Sequence, residues 1–471
     1  DGTALQTLDA TRYGAFTATQ IKSLTNTQIA GLEAPEVAKF GTTQIALLSI
    51  AQVGALTTTG IADLAATQIR AFATTQLNAM SSTNVNALTE TQFAALTSTQ
   101  ITGLSTTQAS ILSATNIAAM TTTQAGALTA TQLGRLTSEA LIAFDATQFA
   151  AFSATQVRAL TTTQIGNLEA ADIAEFTTTQ IAGLATTQVR GLTETAVAAL
   201  AATQIAALTV PQIQSLSTTS LVGFADTQIG ALTTTQIGGL LAPQVSAFGA
   251  TTVAALTATQ ISAMSATQIA ALGATNFAAL DTTQIGALTA TQMRSLTTSQ
   301  IASIDAGQVS SFTTTQLTQL SGTQLKSLST SNLSALDTTQ MASLTATQVA
   351  SLTTTQIAGL VAGDIGEMTT GQLQALVTTQ VASLTTEAVS ALTTTQVGAM
   401  RTTQIQGLTT TQLGALDATD MGEFTTTQLQ SLTTAQVAGL TSTNAQSLST
   451  QQLAALTTSQ IAALTVTNLS A

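Results

Sequence analysis

The sequence predicts an all-α repeat solenoid made of one- to two-turn helices restarted every eight residues. Three observations carry this: an unbroken eight-residue period, a helix-start signature in each unit, and rare residues that respect the same register. Every multiple of eight from Leu8 to Leu464 is Leu, Phe, Met or Ile. Five places after each anchor stands a second apolar residue, as in Ile21, Ile29 and Val37, reduced to Ala at Ala109, Ala125 and Ala445. The consensus octad is T-T-T-Q-I-A-A-L, and it fills 1–471 as 58 full units plus seven residues without insertion or deletion. Separate domains, linkers and an inserted catalytic loop have no room.

The period itself selects the conformation. A continuous helix advances about 100° per residue, so eight residues overshoot two turns by roughly 80° and the apolar stripe would circle the helix. A plain strand would send positions 5 and 8 to opposite faces. A helix restarted in each octad satisfies both. Thr at position 1 with Gln at position 4 is a capping box, and Gln or Glu fills position 4 in 42 of 59 octads. The apolar residues at positions 8 and 5 then become the hydrophobic staple across the helix start.

The scarce residues fall into line. Seven of twelve Asp occupy position 1 (Asp1, Asp9, Asp145, Asp281, Asp305, Asp337, Asp417), where Asp caps well. Lys22, Lys39, Arg70, Arg135, Arg158, Arg190, Arg294 and Lys326 stand at positions 6 or 7, the end favoured by the helix dipole. Pro35, Pro211 and Pro243 all sit at position 3, in the first turn. Because the residue before proline resists the α region, the cap is expected to slide to position 2 there. Small residues at positions 6 and 7 should let neighbouring helices approach. One octad buries too little to fold alone, so stacking must supply the rest. The alternative is a β-solenoid built on Thr and Ile, though no position carries a fixed Gly, Asn or Asp to turn its corners.

Composition narrows the function classes. The chain has no Cys, His or Trp, one Tyr and three Pro, so disulfides, thiolate or His chemistry and Cys/His metal sites are excluded. Charged residues are 7%, and the net charge of −12 argues against nucleic acid and anionic membrane surfaces. No apolar run is long enough to span a bilayer as a helix. The expectation is no enzyme, no cofactor and no small-molecule substrate.

Two features invite chemistry. Carboxylates gather at positions 1, 4 and 7 in Glu169, Asp172, Glu175; in Asp364, Glu367; and in Asp417, Asp420, Glu423. Three oxygens on one broad helix face could gather a hard cation such as Ca²⁺; the alternative is a solvated acidic patch. The threonine triplets would form a long flat ladder, readable as an ice-binding face, an O-glycosylation substrate, or simply capping plus an uncharged surface. Asn332-Leu333-Ser334 and Asn468-Leu469-Ser470 match the N-glycosylation pattern. Met80, Met120, Met264, Met368 and Met400 occupy core anchors and read as packing variants.

Octads such as Leu232-Thr-Thr-Thr-Gln-Ile-Gly-Gly-Leu240 and Leu352-Thr-Thr-Thr-Gln-Ile-Ala-Gly-Leu360 resemble arrays in very large secreted bacterial surface proteins, a group associated with adhesion or haem utilisation. The resemblance covers the whole chain and implies an extracellular, structural or adhesive role. Haem finds no ligands here, and no functional residue carries over. The sequence therefore points to an extracellular filament, sheath or stalk that self-associates, with a surface adhesin or ice-binding module as the alternative. The array begins inside an octad at Asp1 and stops at position 7 with Ala471, so it is expected to be a window of a longer array or to stack head to tail into a homopolymeric fibre.

Overall fold

The computed structural model describes residues 5–469. From Ala10 onward each octad forms one helix of four to six residues, and the described residues contain no strand. The all-α solenoid reading holds and the β-solenoid alternative falls. Thr25 shows why the helices start where they do. Its backbone is extended (φ −74°, ψ 155°), its hydroxyl accepts from the Gln28 N–H, and its own N–H donates to Gln28 Oε1 at 2.8 Å. Both halves of the capping box are present.

The corner between octads needs no glycine. Leu24 ends one helix in extended geometry (φ −60°, ψ 130°) and Thr25 begins the next in extended geometry, so two ordinary residues redirect the chain. This explains a repeat with no fixed Gly. Among the described residues only Gly273 takes a positive φ, at 72°. There Leu272 stays helical (φ −59°, ψ −27°), so one helix runs almost into the next. The prolines correct one expectation: the cap stays at position 1, on Glu33, Thr209 and Leu241, with extended backbone at each. In the last two octads Gln212 and Gln244 hold the cap N–H, and that bond fixes the register against the preference of the residue before proline.

Residues Asp1–Gly239 form one compact unit and Leu240–Ala471 a second. Within each, positions 5 and 8 form a continuous core, as in Ile181 with Leu184 and Ile357 with Leu360. Positions 1, 3 and 6 face outward, while position 7 is half-covered.

Stacking follows one rule in both units. A helix packs on the helix three octads away: Thr162–Gly166 on Thr186–Gly191 in the first unit, Ala346–Ala350 on Thr370–Ala375 in the second. Side-chain bonds also reach 28 residues back, which is three and a half octads. A helix therefore sits over the junction between two helices of the turn beneath, in a bricklike stagger. Small residues at positions 6 and 7 permit this. A Cβ on Gly126 would meet the Ala151 carbonyl oxygen at 3.2 Å, and one on Gly359 would meet Thr330 Cγ2 at 2.7 Å.

Candidate functional site

The chemistry of the octad concentrates at position 4, where glutamine is buried although it is polar. Gln180 is representative. Its Oε1 accepts from the Thr177 N–H at 2.7 Å, closing the capping box of its own helix. Its Nε2 donates to the carbonyls of Phe149 at 2.7 Å and Phe152 at 2.8 Å, in the turn beneath. Gln372 does the same in the second unit, donating to Met341 and Leu344, both at 2.7 Å. One amide thus serves two turns. Its oxygen starts a helix, and its nitrogen ties that helix to carbonyls 28 and 31 residues earlier.

The need for such a tie is physical. The position-8 residue is extended and its carbonyl faces the core, with no place in a helical ladder. A buried carbonyl without a donor costs about 1–3 kcal/mol. Asparagine at position 4 is one methylene shorter and still reaches the nearer carbonyl: Asn84 donates to Leu56 at 2.8 Å, and Asn332 to Ile304 at 2.7 Å. The capping half of this arrangement was legible in the sequence. The second half was not, because it joins residues four octads apart.

One octad solves the problem differently. Glu36 replaces glutamine at position 4 and has no hydrogen to donate. The two carbonyls that a glutamine there would serve belong to Leu8 and Leu5. Lys39 Nζ donates to Leu8 at 2.9 Å while lying 3.6 Å from Glu36 Oε1. Tyr13 Oη donates to Leu5 at 3.0 Å. The Tyr13 ring is fully buried, edge-on to Phe16 and Phe40 at 5.7 and 5.1 Å. Burial, and secondarily the Glu36 charge, pushes its hydroxyl up to about 12.

The acidic segments have comparable roles. Asp172 Oδ2 accepts from the Glu169 N–H at 2.7 Å, and Asp420 Oδ2 from the Asp417 N–H at 3.0 Å. Asp417 Oδ1 accepts from the Thr419 and Asp420 N–H groups. Asp364 Oδ2 accepts from the Val361 N–H and the Ser334 hydroxyl. Glu367 and Glu423 reach the turn beneath, accepting from the hydroxyls of Thr338 at 2.7 Å and Thr394 at 2.8 Å. Glu169 stands at the N-cap position, exposed, and its side chain makes no cap hydrogen bond. Among the described residues no three or more Asp or Glu side chains are disposed to share a metal ion.

The remaining sequence features also find places. Asn332 is 6% exposed and Asn468 2%, each spending its amide on a carbonyl of the turn beneath, so neither sequon presents its asparagine to solvent. Ser470 of the second sequon lies outside the described residues. Met80, Met120, Met264, Met368 and Met400 are buried anchors. Surface recesses recur in register: one of 330 Å³ is lined by Arg70, Leu96, Thr97 and Thr123, and one of 410 Å³ by Lys22, Leu48, Ser49 and Thr75. They are the same corner, six octads apart. No helix is long and apolar enough to cross a membrane among the described residues.

With that geometry in hand, the similarities to known proteins can be placed. The family described as the ALTTAQ repeat matches residues 61–98 and 365–402, one stretch in each unit. The chain is a repeat protein. No curated protein matches it.

Proposed function

We propose that this chain is a structural repeat protein that contributes to an extracellular filament, sheath or stalk by self-association, with no enzymatic activity. The observation that supports the reading most is the polarity of each turn. One side offers position-4 amides and the other offers the carbonyls of positions 5 and 8, as Gln180 and the pair Phe149 and Phe152 illustrate. Two such sides are complementary and not identical, and a contact of that kind propagates in one direction without closing. The scarcity of charge leaves little repulsion against lateral association. An unbroken structural array also agrees with the resemblance to secreted bacterial surface repeats.

The ice-binding alternative asks for a flat threonine ladder. Helices stack on those three octads away and their glutamines reach carbonyls 28 residues back, so successive octads point in different directions and their position-3 threonines are spread around the coil rather than gathered on one plane. Negative-stain microscopy and sedimentation of the native protein test the proposal. Fibres with a regular axial repeat support it. A stable monomer at high concentration, with no fibres under any ionic condition, refutes it.

A further inference from the structure

The three aspartates at position 4 share a companion. Asp172, Asp364 and Asp420 are each followed three residues later by glutamate at position 7, and Glu175, Glu367 and Glu423 are the only glutamates at that position. Lys39 stands in the same relation to Glu36 and supplies the donor that Glu36 lacks. In the Glu36 octad, position 7 therefore supplies the donor lost from position 4.

Glu175 differs from its two counterparts. Glu367 and Glu423 receive hydroxyls from Thr338 and Thr394, at position 2 of an octad 29 residues earlier. The residue 29 before Glu175 is Ala146, which has no hydroxyl. Accordingly Glu175 Oε2 is buried with no hydrogen-bond partner. The residue 31 before Glu175 is Phe144, the offset that joins Lys39 to the Leu8 carbonyl, and Asp172 has no amide to give that carbonyl.

We propose that Glu175 is a proton-controlled tie between turns: its carboxyl takes up a proton from solvent and its O–H donates to the Phe144 carbonyl, replacing the glutamine amide of other octads. The groups facing it are acidic, Asp172 on its own helix and Asp145 at the cap of Ala146–Ala150; the helix Glu194–Ala198, packed on Ala170–Ala174, adds Glu194 and no lysine or arginine. Burial first, then Asp172 and Asp145, raises the Glu175 carboxyl above its ordinary 4.5. A carboxyl raised in the fold penalises the folded state above its folded pKa, and the penalty fades as pH falls through that value. The tie therefore closes on mild acidification and opens at higher pH.

The test uses the full chain with ¹³C-labelled glutamate carboxyls. There are ten glutamates, and the Glu175 signal is the one lost in Glu175→Gln. The expected midpoint lies above 4.5, and hydrogen-exchange protection of 145–176, corrected for intrinsic rates, rises severalfold as pH falls through it. Glu175→Gln should hold that protection at every pH. Ala146→Thr should supply the missing hydroxyl, return the midpoint toward the ordinary value and flatten the pH response. A midpoint at or below 4.5 overturns the proposal, as does protection indifferent to pH in the unsubstituted chain. An unchanged response in Ala146→Thr also overturns it.

Discussion

Gln180 and Asp172 occupy the same position of consecutive octads and both hold the N–H of their helix cap, at 2.7 Å in each case. Beyond that they diverge. The glutamine turns its nitrogen to two carbonyls of the turn beneath, whereas the aspartate has only a second oxygen. The difference teaches that a helix-capping residue and a turn-stacking residue are combined in one side chain. Capping needs an acceptor, which acids and amides both supply. Stacking needs a donor as well, which only the amide supplies. A repeat that merely capped its helices could alternate Gln with Glu freely. Here Glu appears at position 4 once, beside a lysine that restores the donor.

The most severe way to test that division is to change one atom. Gln300 is fully buried; its Oε1 accepts from the Thr297 N–H at 2.9 Å and its Nε2 donates to Ile269 at 2.7 Å. Gln300→Glu keeps the acceptor and sets a carboxylate against a carbonyl. The expected loss is about 3–5 kcal/mol at neutral pH, the usual cost of an uncompensated buried charge. Gln300→Ala should lose only about 1–3 kcal/mol, the cost of unpaired groups. Local hydrogen exchange over 265–304 is the appropriate measurement, because long repeat arrays depart from two-state unfolding. Equal effects of the two substitutions would mean that stacking does not depend on the donor.

Next in size is the Glu36 octad. Lys39→Met removes the substitute donor and should cost about 1–3 kcal/mol through the unpaired Leu8 carbonyl and the isolated Glu36. Adding Glu36→Gln should recover most of that loss, because the amide then reaches the same carbonyl. If the double substitution is no better than the single one, the equivalence of Lys39 to the amide is wrong. Tyr13 offers an optical check in the same place. As the chain's only tyrosine, with no tryptophan beside it, its ionisation can be followed directly in the ultraviolet. The expected midpoint is about 12. Since the folded value exceeds the unfolded value of 10.0, stability should be intact below pH 10 and fall as pH rises through the interval between them. A midpoint near 10 would show that the ring is not buried.

The sequence made the period, the helix starts and the core legible, because each rests on residues within one octad. Thr25, Gln28 and Ile29 lie within five residues and obey local rules. The turn was not legible. Twenty-eight residues join Gln180 to Phe152, and nothing in either octad names the other. The same distance hid the role of Lys39, which the register marked only as a cation near a helix end. The exception at Gly273 was equally hidden: Gly41 and Gly249 stand at the same position with φ of −68° and −89° and ordinary geometry. The acidic segments were visible as clusters, but their division between cap amides and threonine hydroxyls depends on the turn beneath.

A gain of stability is the sharper complement to these losses. Ala140 stands where glutamine is the rule, and its N–H already donates to the Thr137 hydroxyl. Ala140→Gln should complete the capping box and reach the carbonyls of Leu112 and Ala109, 28 and 31 residues earlier. Replacing alanine there is expected to add about 0.5–1.5 kcal/mol, the net value of a hydrogen bond in a folded protein. Slower exchange across 105–144 would show it. The Ala109 carbonyl already accepts from the Leu112 N–H, so no gain, in an otherwise undisturbed fold, would indicate that the Leu112 carbonyl was served as well.

The smallest effect belongs to the threonine that begins each helix. The Thr233 N–H donates to Gln236 Oε1 at 2.8 Å, and its hydroxyl accepts from the Gln236 N–H at 3.2 Å. Thr233→Ala removes only the second bond. The chain has already made this change elsewhere: Ala65, Ala73, Ala185 and Ala201 all begin helices without a side-chain cap, with φ between −62° and −71°. In each, the glutamine oxygen still holds the cap N–H, at 2.6 or 2.7 Å. The bond that survives is the one made by the residue that also ties the turns. The expected cost therefore lies at the lower end of the usual N-cap range, about 0.5–1 kcal/mol. Exchange rates of the amides in Thr234–Gly239 should rise severalfold while those of the turn beneath stay unchanged. A loss as large as that of Gln300→Ala would reverse the ranking of donor and cap.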